Sequence, residues 1–529
     1  MTPSQPVRTG RRGDLHAGWV LAMAWLWLGC TVSLRTLFLP DEGRYVGVAW
    51  EMAHASDWLT PTLDGLPFFH KPPLFYWLTA AMLKLFGPAE WAARVAGVAA
   101  AGVVVAALYA VVLRWRGNGP ARWSAIVLAS QPMFFIGAQF ANLDMLVAAC
   151  ISVTVLLGAH AAWQFESGQP DRPALAGAYA VMALGMLAKG LIGIVLPGLV
   201  VLVWLAVTRR WRTMRRLWWW PGWAMFSLIA VPWLGVMQAR HADFLHYFIV
   251  VQHFQRFALS GFNSVQPWWF YVPVLLIFAL PWSAWLGCAL MRRRGGPAPT
   301  GAPPHMPQLR SLAWTWLAVV VVFFSVPESK LLGYILPALT PLAVLVVEYA
   351  DALWQRSHTA RRARWICAVA APMVCVGAIV VYAGDNPKST LELARALALA
   401  RGPGDSVAVL DEYPYDLMFY LRDVAPIRVV TDWSPAEVAA HDDWRKELAD
   451  AGGFDAAAAK TRLIDAAQLR QAVCDGNVRW VIGRTERLQA YPDLIAARRV
   501  TSHGERSLWR VSRAASGCAE PVAGGGPVQ

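Results

Sequence analysis

Two adjacent carboxylates, Asp41 and Glu42, follow directly on the first long apolar run of the chain, and Arg44 comes two residues later. Further along the same loop stands His70-Lys71-Pro72-Pro73. A carboxylate set beside fixed cations suits a site that holds an anionic group and removes a proton from a second reactant. The cation stabilises the anion and the carboxylate serves as general base. Residues 43–55 carry Tyr45, Val48, Ala49 and Met52 at helical spacing, which puts Asp41 at a helix start. The positive end of the helix dipole favours a carboxylate there. The same residues also fit a solvated cap with a surface ion pair, and their types alone do not separate the two readings.

Other polar residues sit at the edges of apolar runs. Asn142 and Asp144 open one run in FANLDMLV, and Lys189 lies between two runs in LAKGLIG. His253 and Arg256 lie in VVQHFQRFALSGF, and Glu328, Ser329 and Lys330 precede Tyr334 in SVPESKLLGYILP. Ionisable groups at membrane depth are costly and usually functional, whereas at a run's end they can simply snorkel to water. Only four lysines occur before residue 384, namely Lys71, Lys84, Lys189 and Lys330. Their common side of the membrane, argued next, carries more weight than any one of them.

The elements that position these residues follow from composition. The chain has 529 residues, 57% hydrophobic and 15% charged, and a mean hydropathy of +0.40. Soluble domains carry about 25% charged residues, so a water-soluble fold is excluded and an α-helical polytopic membrane protein is expected. The net charge of +13 is not a nucleic-acid surface. Residues 1–383 hold 29 Lys+Arg against 14 Asp+Glu, and 384–529 hold 18 against 20, so the basic excess belongs to the apolar part.

The runs read as about eleven spans, with thirteen as the alternative count: 17–38, 90–113, 121–139, 142–163, 174–188, 190–208, 218–238, 267–290, 311–326, 331–350 and 365–383. Arginine clusters fall in every second gap, at Arg8/Arg11/Arg12, Arg114/Arg116/Arg122, Arg209 to Arg216, Arg292 to Arg294 and Arg356 to Arg364. The positive-inside rule makes those gaps and the N-terminus cytoplasmic, and all four lysines outward. Residues 73–87 are apolar but short, with a Pro pair at their start and Lys84 near their end. They are read as a helix lying in the outer interface within the first outward loop, 39–89.

Residues 384–529 form a separate region, expected to be a soluble periplasmic α/β domain. GDSVAVLDEY, PIRVVTD and VRWVIGR read as buried strands. Ser434-Pro435-Ala436-Glu437 reads as a capping box opening a helix to about Asp450. Five of the seven cysteines lie in apolar runs; Cys474 and Cys518 lie in the tail, where a disulfide and two free thiols are both open.

The ordered set LPDEGRY, FFHKPPLFYWL, NLDM, LAKG, HFQRFA, PWWFYVPVLL, LPWS and SKLLGYILPALTPLA resembles the ArnT-like and protein O-mannosyltransferase-like integral membrane glycosyltransferases, family 39/83, of GT-C fold. The match runs in register over about residues 35–350. The resemblance implies a sugar donor linked to undecaprenyl phosphate and a cavity at the outer face of the bacterial inner membrane. It implies transfer to a lipid (lipid A-like) or protein acceptor, with inversion at the anomeric carbon. It also implies Asp41 as general base beside Glu42, with Arg44, Lys71, Lys189 and Arg256 toward the lipid phosphate. His70, Asp144, His253, Lys330 and Tyr334 would line the cavity. His70 stands where aminoarabinose transferases typically carry Glu, which points to the wider superfamily and removes a carboxylate from any metal site. A divalent metal, with His70, His253 and Asp41 as candidate ligands, stays open because no ligand spacing supports it. No other cofactor is implied, and the partners are donor, acceptor and membrane lipids.

The alternative is a transporter with outward ionisable residues. Transporters place such groups near the bilayer midplane, often in inverted repeats, whereas these cluster toward one surface. The topology has a direct check. A reporter fused after Asn118 should read cytoplasmic, and an outward signal would turn 73–87 into a full span and reverse every later loop.

Overall fold

The computed structural model describes residues 12–255, 264–293, 306–384, 386–402, 404–512 and Cys518. The chain divides into two compact units. The first comprises Met1–Arg35, His70–Met82 and Ala89–Gly384; the second comprises Thr36–Phe69, Leu83–Pro88 and Asp385–Gln529.

In chain order the helices begin with α1 (Arg12–Gly29), α2 (Asp41–His54) and α3 (Leu74–Phe86). Next come α4 (Glu90–Arg116), α5 (Asn118–Ala129), α6 (Pro132–Ala138), α7 (Leu143–Glu166) and α8 (Arg172–Lys189). Then follow α9 (Ile192–Val207), α10 (Trp211–Leu217), α11 (Trp220–Arg240) and a π-helical stretch, His246–Gln255. The first unit closes with α12 (Tyr271–Phe278), α13 (Trp282–Arg293), α14 (Met306–Ser325), α15 (Leu339–Arg356) and α16 (His358–Tyr382).

Among the described residues six helices are long and apolar enough to cross a membrane, and the bent pair α12–α13 makes a seventh. The sequence counted eleven apolar runs. The difference lies in helices that are short, such as the 16-residue α9, and in runs that are broken. The run over 121–139 parts into α5 and α6, because Pro132 has no amide hydrogen and Gln131 before it is extended (φ −67, ψ 125). The polar groups freed there are used: the Ser130 hydroxyl donates to the Ile126 carbonyl and accepts from the buried Trp282 indole. The run over 267–290 bends by 106° where Pro281 separates α12 from α13. The segment 73–87 forms the 13-residue α3, short of the roughly 20 residues a crossing requires.

Charge inside the first unit is paired. The Glu348 carboxylate, 2% exposed, accepts from Arg116 at 2.6 Å and lies 3.3 Å from Arg310. Fully buried Arg94 donates to the carbonyls of Val32 and Arg35 at 2.5 and 2.9 Å, closing the chain after α1. Both follow from the cost of leaving a charge unsolvated.

The second unit is built on a six-stranded mixed sheet, ordered β5-β4-β3-β6-β8-β7. Its strands are β3 (Val407–Leu410), β4 (Arg428–Val430), β5 (Leu463–Ile464), β6 (Trp480–Arg484), β7 (Arg498–His503) and β8 (Arg506–Arg510); β1 (Thr62–Leu63) and β2 (Leu66–Pro67) form a separate hairpin. Central β3 is parallel to β4 and β6, and all four of its residues are buried. This matches the continuous apolar strands read from the sequence.

The helices of this unit are α17 (Leu391–Ala400), α18 (Leu417–Leu421), α19 (Pro435–Ala440), α20 (Trp444–Phe454), α21 (Ala456–Arg462) and α22 (Ala466–Cys474). The expected single helix after Ser434 is two. The Ser434 side chain makes no cap hydrogen bond, and α19 stops at Ala440. Asp443 then accepts the Arg445 amide and starts α20 on a new axis, which buries Glu447, Leu448, Ala451 and Gly452. A complete capping box instead opens α22, between Asp465 and Gln468. Cys474 and Cys518 form a disulfide.

Residues Thr36–Phe69 fold with this tail. The Trp50 indole donates to the Asp423 carbonyl at 2.8 Å. Glu51 accepts the Thr62 hydroxyl and the Asp64 and Gly65 amides at 2.7–2.9 Å, holding the β1–β2 turn. Asp64 accepts the Ile427 amide at 2.9 Å. Burial pushes the Glu51 carboxyl up to about 7, against the pull of those hydrogen bonds and of Arg462. Asp64 moves the same way for the same reason.

An acid raised on folding binds its proton more tightly in the folded chain. Stability is then full below 4.5, the unfolded value, and falls as pH rises toward 7. Glu51→Gln should flatten that slope, by roughly 3 kcal/mol at most. Thermal unfolding of the full chain in detergent between pH 4.5 and 8 measures it.

Candidate functional site

Two clusters gather the candidate residues, one in each unit. The first sits at the start of α2. The Asp41 side chain is 48% exposed and lies 3.5 Å from the Arg44 guanidinium, one helical turn on. Glu42 is fully buried, and its carboxylate turns back to accept the Phe38 amide at 2.8 Å. Of the adjacent carboxylates, one is accessible and the other closes the turn.

Arg44 is held from the other side by the tail. Its Nε lies 3.0 Å from Glu447 on α20, and its guanidinium carbon lies 5.0 Å from the Tyr415 ring centre. The Tyr415 hydroxyl donates to the same Glu447 carboxylate at 2.5 Å. Burial alone would lower the Arg44 pKa, but Glu447, Tyr415, Tyr45 and Asp41 outweigh it and hold the guanidinium well above its ordinary value. Small residues permit the approach. A Cβ at Gly43 would strike Leu39 and come within 3.0 Å of Tyr415, and one at Gly47 would lie 3.0 Å from the Tyr415 carbonyl.

The second cluster joins three distant pieces of the first unit. Asn142 caps α7 by accepting the Asp144 amide at 3.1 Å, which fixes Asp144 in the first turn. Lys189 ends α8, and Gly190 turns the chain there with φ +82, a conformation that favours glycine. The Lys189 ammonium donates to the Asp144 carboxylate and lies 4.5 Å from the Tyr334 ring centre. Tyr334 packs on Phe324 at 5.5 Å. A side chain at Gly333 would collide with the Asp144 carboxylate, so the backbone before Tyr334 must be bare. The result is a cation held between a carboxylate and an aromatic face.

The remaining residues divide. The Lys330 ammonium is buried and donates to the carbonyls of Gln266 and Pro327 at 2.9 and 2.5 Å, pinning two loop segments together. His70 is buried beside Tyr247, with ring centres 5.9 Å apart. Lys71 is half-buried. Lys84 lies 5.6 Å from the Trp58 ring centre. Arg256 and the His253 side chain lie outside the described residues. Among the described residues no three of His, Cys, Asp and Glu form a group able to hold a metal ion.

Sequence reasoning missed Glu447 and Tyr415. Nothing in their local spacing ties them to Arg44, since the pairing arises only when the tail folds on α2. It also missed Gly333, whose signal is steric.

Three comparisons place this geometry. A family model described as dolichyl-phosphate-mannose-protein mannosyltransferase matches residues 70–235. An undecaprenyl phosphate-alpha-4-amino-4-deoxy-L-arabinose arabinosyl transferase of Sodalis glossinidius is 30% identical over 434 residues, covering 76% of this chain and 74% of the relative. One of the same description from Pseudomonas paraeruginosa is 32% identical over 339 residues, covering 62% of this chain and 58% of the relative. The crystal structure of ArnT from Cupriavidus metallidurans bound to undecaprenyl phosphate aligns over 95% of this chain and 99% of its own, with TM-score 0.75 and 24% identity. Its apo form aligns with TM-score 0.76 and 23% identity. Those two likenesses establish the shared GT-C fold.

Removing the Glu447 carboxylate leaves a buried guanidinium without its closest anion. Glu447→Ala should lower stability by on the order of 2 kcal/mol. Glu447→Gln should lower it less, because its amide oxygen can still accept from Tyr415. Melting of the full chain in detergent separates the two.

Proposed function

The chain belongs to the ArnT-like family of integral membrane glycosyltransferases, and from that premise we propose that it transfers a sugar from undecaprenyl phosphate to a lipid acceptor at the outer face of the inner membrane. The first relatives are aminoarabinosyl transferases, so undecaprenyl-phosphate-linked 4-amino-4-deoxyarabinose is the donor to try first, and lipid A the acceptor. By the resemblance, His70 stands where aminoarabinose transferases typically carry Glu, and it is the residue that argues for a different sugar or acceptor.

One observation carries the mechanistic reading: at the start of α2, Asp41 is an exposed carboxylate with a guanidinium 3.5 Å behind it. A neighbouring cation and the helix N-terminus both keep a carboxylate ionised and able to accept a proton. In a single displacement the acceptor oxygen attacks the anomeric carbon as its proton passes to Asp41. The bond from that carbon to the phosphate oxygen breaks, and the electron pair leaves on undecaprenyl phosphate. Inversion follows. Lys71, Lys189 and Arg256 are assigned to the phosphate, whose charge grows as the bond breaks. Asp144 and Tyr334 set the position of the Lys189 ammonium. Arg44, already engaged by Glu447, is assigned to hold Asp41 in place.

An alcohol acceptor needs this base, whereas an ionised phosphate acceptor hardly does. Asp41→Asn should therefore lower transfer to an alcohol by about 10²–10⁴-fold. Mass spectrometry of lipid A and glycoproteins from a deletion strain complemented with wild type or variant reads the product. Full transfer by Asp41→Asn at wild-type expression removes the general-base role.

A further inference from the structure

The first unit has a cavity of about 520 Å³ that the transfer reaction does not use. It lies where the end of α7, the turn into α8 and the segment from α10 to α11 meet. Phe165, Pro170, Leu175 and Trp219 line it together with Arg172 and Arg216. The apolar wall is built into the helix packing. Leu175 belongs to the buried cluster of Tyr179, Met182 and Phe226, with Phe165 and Trp219 packed against it. The Tyr179 hydroxyl donates to the Leu217 carbonyl at 2.9 Å and accepts the Trp219 amide at 3.3 Å, which fixes Trp219 against the cavity.

The electrostatics are one-sided. The acids near the cavity are already committed. Glu166 accepts the Thr213 hydroxyl at 2.9 Å and lies 3.4 Å from Arg210. Asp171 caps α8 by accepting the Ala174 amide and lies 3.3 Å from His160. Among the described residues neither Arg172 nor Arg216 has an acidic partner, and both are exposed. Arg209, Arg212 and Arg215 add to the positive field on the same loop. Trp211, Trp218 and Trp220 on that loop are 52%, 71% and 76% exposed, as residues of a membrane–water interface are. The loop holds five arginines over 209–216, the most of any cluster that the positive-inside rule assigns to the cytoplasm.

We propose that this cavity binds the headgroup of an anionic phospholipid of the cytoplasmic leaflet, with Arg172 and Arg216 on its phosphate and Phe165, Leu175 and Trp219 against its glycerol and upper acyl carbons. A guanidinium pair matches phosphate geometry. A basic pocket between membrane helices on the cytoplasmic side suits a charged lipid over a zwitterionic one, whose amine these arginines would repel. The site is independent of Asp41 and of the sugar transferred.

Native mass spectrometry of the full-length protein in detergent tests it, with phosphatidylglycerol, phosphatidylcholine and inorganic phosphate as probes. Arg172→Ala/Arg216→Ala should lower phosphatidylglycerol binding by about tenfold or more. Arg212→Ala/Arg215→Ala, which removes the same charge from residues outside the cavity, should leave it within about twofold. Phosphatidylcholine should bind weakly to all forms, and millimolar phosphate should not displace the lipid. Equal losses in the two double variants, or none in the first, overturn the proposal. So does displacement by free phosphate, which would make the site one for the ion alone. Trp219→Ala, with both arginines kept, should weaken the lipid and leave its preference for negative charge unchanged.

Discussion

A buried charge must find a partner, and Arg44 of α2 finds its closest in the tail. Arg44 meets Glu447, Glu51 takes a hydroxyl and two amides of its own loop, and Asp64 accepts the Ile427 amide through one oxygen. The Arg44 and Asp64 contacts join residues more than 360 positions apart in the chain. They explain why a loop rich in charge is ordered at all. They also fix the turn on which Asp41 stands, so the residue assigned to the chemistry is carried by a frame that the tail completes.

The first unit obeys the same constraint by different means. Lys189 is neutralised by Asp144 and faces an aromatic ring, Glu348 takes two arginines, and Lys330 spends its protons on carbonyls. Each arrangement replaces a hydration shell with fixed donors or acceptors. Their uses differ. The carbonyl knot of Lys330 and the Glu348 pair hold loops and helix ends together. The Lys189 ammonium, between a carboxylate and a ring, is the one we propose for the donor phosphate.

Much of this was legible in the residues. The helical spacing of Val48, Ala49 and Met52 put Asp41 at a helix start, and the uninterrupted apolar residues of 407–410 marked a buried strand, whose central place in the sheet only the fold shows. Pro132 and Pro281 were visible as residues, yet the runs around them read as continuous, because hydropathy does not register a missing amide hydrogen. The helix after Ser434 was misjudged for a similar reason: a cap motif signals a start, whereas the stop at Ala440 came from Asp443 capping a second helix that buries Glu447.

The sequence by itself determined the membrane class, the separation of apolar part from tail, and the residue types able to handle an anionic lipid donor, because hydropathy, charge and short spacings are local properties. Only the tertiary structure decided which cations have anions. Arg44 with Glu447, Lys189 with Asp144, and Arg172 and Arg216 without a carboxylate among the described residues are facts of proximity. Electrostatic energy falls off with distance in space and takes no account of distance along the chain, so no reading of spacing could assign those pairs.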